Sequence, residues 1–246
     1  MTDVLARIGA YWNAAAATYE QAAGHHPQTP LEWAAWRGVL ARLLPPAPAR
    51  VLDVGAGTGI LSLAAAHLGH TVTALDLAPA MLQRLRITAA ADGVDVVTIN
   101  GRADEPPPGP WDAVMSRHLL WTLPDPVGAL RSWRAVSPRG GLLLLESLWG
   151  DAAGPVERGR VRAGGWLRQL RGTRHGHDGH YDEALRAALP LADGVTPEAI
   201  VDAVTEAGWS WPRVERLADV EWAMSRQLPM PDRLLGVNTT FAVAAD

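Results

Sequence analysis

The side chains that could do chemistry gather around one short stretch, Val51-Leu52-Asp53-Val54-Gly55-Ala56-Gly57-Thr58-Gly59. Glycines at alternate positions lack the Cβ atoms that hold a backbone away from a ligand, so the chain can turn sharply and press against a bound molecule. Asp53 stands two residues before the first of them. A second acid, Asp76, follows the apolar run Thr71 to Leu75. An ionised carboxylate at a strand end accepts two hydrogen bonds, which suits the paired hydroxyls of a ribose. Ser116-Arg117-His118-Leu119 closes a further apolar run. His118 is a candidate base there, needed only if an acceptor must lose a proton; His25 and His26 are conditional candidates of the same kind. Cysteine is absent, which excludes disulfides, thiolate nucleophiles and Cys-ligated zinc together.

These residues need elements to position them. Val51, Leu52 and Val54 have the apolar, β-branched character of a central strand, and a helix follows from Ile60 until Gly69 stops it. Thr71 to Leu75, Asp95 to Ile99, Trp111 to Met115 and Leu142 to Glu146 read as further strands. Pro79 and Asp125-Pro126 open helices between them, the latter with Leu130 and Trp133 turned inward. Thr29-Pro30-Leu31-Glu32 is a capping box for a helix with Leu31, Ala35, Val39 and Leu43 at four-residue steps. Thr196-Pro197-Glu198 caps another helix, through Glu206. Val214 to Val220 and Val237 to Val243 read as a closing antiparallel pair. Strands alternating with helices predict an α/β fold with a mostly parallel sheet.

Two cofactor classes use such a glycine turn. The dinucleotide pattern places its third glycine one residue later than Gly59, where Ile60 stands. The form Asp53-x-Gly55-x-Gly57-x-Gly59 resembles motif I of the class I S-adenosylmethionine-dependent methyltransferases. The run Tyr11-Trp12-Asn13 followed by Tyr19-Glu20 is similar to the N-terminal helix of the ubiquinone/menaquinone-biosynthesis-type group. Asp112 to Glu146 resembles that group's motifs IV to VI, and the resemblance covers roughly residues 11 to 246. It implies a Rossmann-like seven-stranded, mostly parallel sheet with an antiparallel last strand and helices on both faces. It also implies a helical N-terminal lid over residues 1–49, a core over 50–246 and a lid inserted after strand 5, at about 150–192.

The resemblance implies S-adenosyl-L-methionine as cofactor, leaving as S-adenosyl-L-homocysteine. Its expected contacts are Asp53, Gly55, Ala56, Gly57 and Gly59 at the turn, Tyr19 as an aromatic lid and Asp76 on the ribose. Leu77 and Met81 would flank the adenine, and Ser116 and Arg117 would lie at the fourth strand end. The family usually has Gly-Asp-Ala where this chain has Gly101-Arg102-Ala103. Either Asp104 replaces the missing acid, or Arg102 stacks on the adenine; the Ala103 backbone N–H needs no particular side chain. Ala78 stands where the family often has a hydroxyl cap. His118 and His26 are the catalytic candidates. Trp121 and Trp149 are candidates for an acceptor pocket.

Composition narrows the classes further. The net charge is −4 and all 22 basic residues are arginine, so no overall affinity for nucleic acid is expected. Apolar runs such as Leu142 to Leu145 are far too short to span a bilayer. The expectation is a bacterial, cytoplasmic enzyme acting on a small molecule, without a metal, as monomer or homodimer. His175-Gly176-His177-Asp178-Gly179-His180-Tyr181 does not match a dinuclear zinc pattern and reads better as lid than as metal site. The acceptor atom, whether oxygen, nitrogen or carbon, is left open. A nicotinamide-dependent oxidoreductase and a non-catalytic cofactor-binding protein are the alternatives.

Overall fold

Two residues of one strand face opposite ways, and this alternation divides the core into two layers. Leu52 and Val54 pack on one face of the sheet with Leu130, Trp133, Leu142 and Leu144. Val51 packs on the other with Val39, Leu40, Leu61, Leu143 and Leu145. A strand buried on both faces reads as a continuous apolar run, and that is why these segments lack polar alternation. The computed structural model describes residues 2–21, 24–149, 154, 159, 181–230, 232–235 and 237–246.

The strands are β1 (Arg50–Val54), β2 (Thr71–Asp76), β3 (Val96–Asn100), β4 (Ala113–Arg117), β5 (Gly141–Ser147), β6 (Arg213–Arg216) and β7 (Thr240–Ala245). They form one seven-stranded sheet in the order β3-β2-β1-β4-β5-β7-β6. β1 to β5 pair in parallel; β7 runs antiparallel to both β5 and β6. The sequence order reverses between β1 and β4, so ligands are expected outside the carboxyl ends of those two strands.

The helices before β5 are α1 (Thr2–Ala15), α2 (Pro30–Leu43), α3 (Ile60–His67), α4 (Pro79–Asp92) and α5 (Pro126–Val136). Thr29 caps α2 through the Glu32 N–H, and Asp125 caps α5 through the Gly128 N–H. Ala78 gives α4 no side-chain cap. Asn13 of α1 supplies one instead, its Oδ1 accepting the Ala80 N–H at 3.0 Å. This contact also seats α1 beside the carboxyl edge of the sheet. Ile8 of α1 packs with Tyr181, Leu185, Leu189 and Ala192, the described part of the region after β5. No helix among the described residues is long and apolar enough to cross a membrane.

Three expectations need correction. The fourth strand runs two residues further than its apolar pattern, to Arg117. Only the first part of Val214 to Val220 is strand; Val220 lies on the helix Ala218–Ser225, buried on α2 rather than paired in the sheet. Leu31 is exposed, because α2 turns Trp36, Val39 and Leu40 inward.

Candidate active site

The turn after β1 is tied to its neighbour by backbone bonds. The N–H groups of Gly55 and Ala56 both donate to the Leu75 carbonyl, at 2.8 and 3.1 Å. Gly57 has φ +56, and an added Cβ would meet nothing closer than the Tyr19 ring at 4.0 Å. Its side-chain position faces open space in the cleft. Gly59 has φ +96, and a Cβ there would lie 2.1 Å from Leu85 of α4, so this glycine serves close packing.

A cleft of about 970 Å³, counting its solvent-filled mouth, opens at this turn. Its wall includes Gly55, Gly57, Asp76, Leu77, Met81, Arg102, Ala103, Asp104, Arg117 and His118. Leu5, Ile8 and Trp12 of α1 roof it, and Tyr19 closes one end. A smaller cavity of about 310 Å³ adjoins the turn, lined by Tyr19, His25, Asp53, Ala56, Gly59 and Arg117 among others. Residues scattered from position 5 to position 129 thus meet at the carboxyl edge of β1, β2 and β4.

Asp76 is the polar centre of the cleft. Its Oδ2 accepts the Gly57 N–H and its Oδ1 the Ala78 N–H, each at 2.8 Å. A carboxylate has about four lone-pair sites, so about two stay available to hydroxyl donors. Burial pushes its pKa up, while the two backbone donors pull it down. Asp53 is buried, accepts the Ser62 hydroxyl at 2.6 Å, and is pushed up to about 7, chiefly by burial.

Arg102 and Asp104 are paired to each other across the cleft wall, so the missing acid and the added base form one unit. The Ala103 carbonyl accepts the Trp133 Nε1–H at 2.6 Å, which pins this loop to α5. Arg117 donates to the Gly24 carbonyl and lies 5.1 Å from the Trp36 ring centre. Its Nε is buried without a hydrogen-bond partner. A buried cationic N–H without a partner is costly.

His118 follows β4 with φ 54, a left-handed conformation uncommon outside glycine. Its N–H donates to the Leu145 carbonyl at 3.1 Å, and its Nε2 lies 3.4 Å from the Ser147 hydroxyl. Burial, then Arg117 and His25, hold its pKa well below the ordinary imidazole value, so the ring is neutral at neutral pH.

Two expected site residues lie elsewhere. Ser116 is still within β4, opposite Val54, and its buried hydroxyl donates to the Val54 carbonyl at 2.7 Å. The two-residue extension of the strand places it in the sheet instead of the cleft. His26 packs edge-on against Trp33 and lies 3.7 Å from Glu20, and it lines neither cavity. Its neighbour His25 takes the place by the turn, with its ring 4.4 Å from Tyr19. Trp121 contacts Trp12, Trp149 and Tyr181, so these rings form an aromatic wall beside the cleft. The Trp12 Nε1–H donates to the Tyr181 hydroxyl at 2.7 Å. The histidines at 175, 177 and 180 lie outside the described residues. Absent from the sequence-based expectations are Ile8, Leu123 and Pro124 of the cleft wall.

The sequence profile of the Methyltransferase domain family matches residues 28–189. The chain belongs to this family. Its sheet order and glycine turn are those of the class I S-adenosylmethionine-dependent methyltransferase fold. It is 40% identical over 109 residues to a ubiquinone biosynthesis O-methyltransferase of Xanthomonas axonopodis pv. citri, a match covering 43% of this chain and 45% of that one. A second such enzyme, from Xanthomonas campestris pv. campestris, is 40% identical over 114 residues, 45% of this chain and 47% of that one. The chain thus spans less than half the length of these curated relatives. Magnesium protoporphyrin IX methyltransferase from Synechocystis PCC 6803, solved with bound SAM, shares the fold at a TM-score of 0.60 and 14% identity, over 98% of this chain and 96% of that one. A phosphoethanolamine N-methyltransferase of Haemonchus contortus shares it at 0.60 and 17%, over 95% of this chain and 57% of that one.

Proposed function

We propose that this methyltransferase methylates a hydroxyl oxygen on a small, flat, largely apolar metabolite. When bound, S-adenosylmethionine supplies an electrophilic methyl group on a sulfonium that leaves as a neutral thioether. The chain's residues fit that nucleoside. Asp76 has lone pairs to spare for the ribose hydroxyls, and Leu77 and Met81 offer apolar surface to the base. Arg117 offers its buried Nε–H to the amino-acid carboxylate, and Gly57 leaves the turn open for close approach. The roof of α1 and the segment up to residue 49 would exclude water.

The observation that carries the oxygen assignment is His118: a neutral imidazole held in the cleft by a left-handed backbone. An acceptor hydroxyl must lose a proton as it is methylated, and a neutral imidazole can take it. The names of the sequence relatives, O-methyltransferases, support the same choice. The aromatic wall of Trp12, Trp121 and Trp149 favours a flat acceptor. The test is transfer of labelled methyl groups to matched phenols, amines and activated carbon acids. Phenols are expected to be methylated, and His118→Asn to lower kcat by about 10²–10⁴ with S-adenosylhomocysteine affinity unchanged. Methylation of amines alone, or full turnover in His118→Asn, would overturn the assignment.

A further inference from the structure

A chain of hydroxyls leads away from His118 to the far side of β5. The His118 Nε2 lies 3.4 Å from Ser147 Oγ, and Ser147 Oγ lies 3.2 Å from Thr240 Oγ1. Thr240 Oγ1 in turn donates to the Asn238 carbonyl at 3.3 Å. Ser147 and Thr240 are register partners at the carboxyl end of β5 and the start of β7. Thr240 is held firmly: its N–H donates to Glu221 at 2.9 Å, its carbonyl accepts the Leu217 N–H at 2.8 Å, and it is buried.

Each hydroxyl carries one proton, so the chain can run in two senses, and the Thr240 bond to the Asn238 carbonyl selects one of them. The Thr240 proton goes to the Asn238 carbonyl. In that sense Ser147 donates to Thr240, and its lone pairs accept from His118. We infer that Ser147 and Thr240 are positioning residues that hold His118 as its Nε2–H tautomer and leave Nδ1 as the proton acceptor for the substrate hydroxyl. The nitrogen bound to the relay is the donor, so the other keeps its lone pair. The proton released by the acceptor hydroxyl ends on Nδ1, and the resulting imidazolium returns it to solvent. The left-handed backbone at His118 and its bond to Leu145 set the position of the ring; the relay sets which nitrogen is basic. The charged and titratable neighbours acting on the ring are Arg117 of β4 and His25 of the segment before α2, and both favour the neutral form in which a tautomer is defined.

This inference rests on the proposed role of His118, and its test is separable from it. Long-range ¹⁵N–¹H spectra of histidine-labelled protein report the tautomer directly, with the His118 signals assigned by their loss in His118→Asn. The native ring is expected as Nε2–H. Ser147→Ala and, independently, Thr240→Val are expected to give a mixture of tautomers. Turnover should fall roughly ten- to a hundred-fold, within the whole share of a general base. The KM for the methyl donor and the affinity for S-adenosylhomocysteine should stay as in the native protein. Ser147→Thr, which keeps the hydroxyl, is expected to restore both tautomer and turnover. A native ring found as Nδ1–H, or a tautomer unchanged in both variants, would overturn the relay. Loss of S-adenosylhomocysteine binding in the native protein would instead remove the reading on which it rests.

Discussion

Arg117→Gln separates a contact with the ligand from a contact within the protein. The guanidinium donates to the Gly24 carbonyl and stacks near Trp36, while its buried Nε has no partner. If that Nε faces the carboxylate of the bound amino acid, the pair is a charge-assisted hydrogen bond in a buried site. Such bonds are worth roughly 1.5–3 kcal/mol, or about 10- to 150-fold in affinity. The assay is isothermal calorimetry with S-adenosylhomocysteine and with its decarboxylated analogue, on native and variant protein. The native protein should prefer the carboxylate form by that factor, and Arg117→Gln should lose the preference. Loosening of the Gly24 contact would weaken both ligands equally, so it cancels in the cycle. A variant that weakens both ligands alike, or neither, would refute the carboxylate contact.

Other outcomes follow from the same geometry. Asp76→Ala should weaken S-adenosylhomocysteine by about 1–3 kcal/mol, and much less so an analogue without ribose hydroxyls; equal losses would limit Asp76 to holding the Gly57 and Ala78 N–H groups. Gly59→Ala should lower stability by about 1–3 kcal/mol in urea titrations, because φ is +96 and the new Cβ meets Leu85 at 2.1 Å; an unchanged midpoint would contradict this. Glu146 is buried, and burial pushes its carboxyl from 4.5 up to about 8 against the pull of Arg117 and the Leu120 and Leu119 N–H groups. The native state therefore keeps a proton that the unfolded chain loses. Its contribution is complete below about pH 4.5 and is lost as pH rises to about 8. Glu146→Gln should gain stability relative to the native protein across that window in thermal melts, and a flat difference would remove the assignment.

The parts of the site legible in the sequence were those written locally. The glycine turn needs nine consecutive residues, and Asp76 ends a strand visible in its own run. The remainder depends on packing between distant segments. Apolar periodicity could not mark the end of β4, because Ser116 stays in the sheet by bonding the Val54 carbonyl. His25 and His26 are neighbours of identical type, and only the contact of one with Tyr19 and of the other with Trp33 tells them apart. The missing cap at Ala78 was visible, but its replacement by Asn13, 67 residues from the Ala80 N–H that it accepts, was not. Val214 to Val220 has the composition of a strand, yet Leu217 and Val220 bury themselves against the α2 side of the sheet as the chain turns into a helix. The pairing of Ser147 with Thr240 spans 93 positions and left no pattern in either segment.

Calorimetric titration of the native protein with S-adenosylhomocysteine and, in parallel, with NADH tests the cleft most directly. Saturable binding of the former, abolished by Asp76→Ala combined with Arg117→Gln, and no heat from the latter, is the result expected of a turn that cradles a sulfonium nucleoside. Binding of the dinucleotide alone, or of neither, would contradict it.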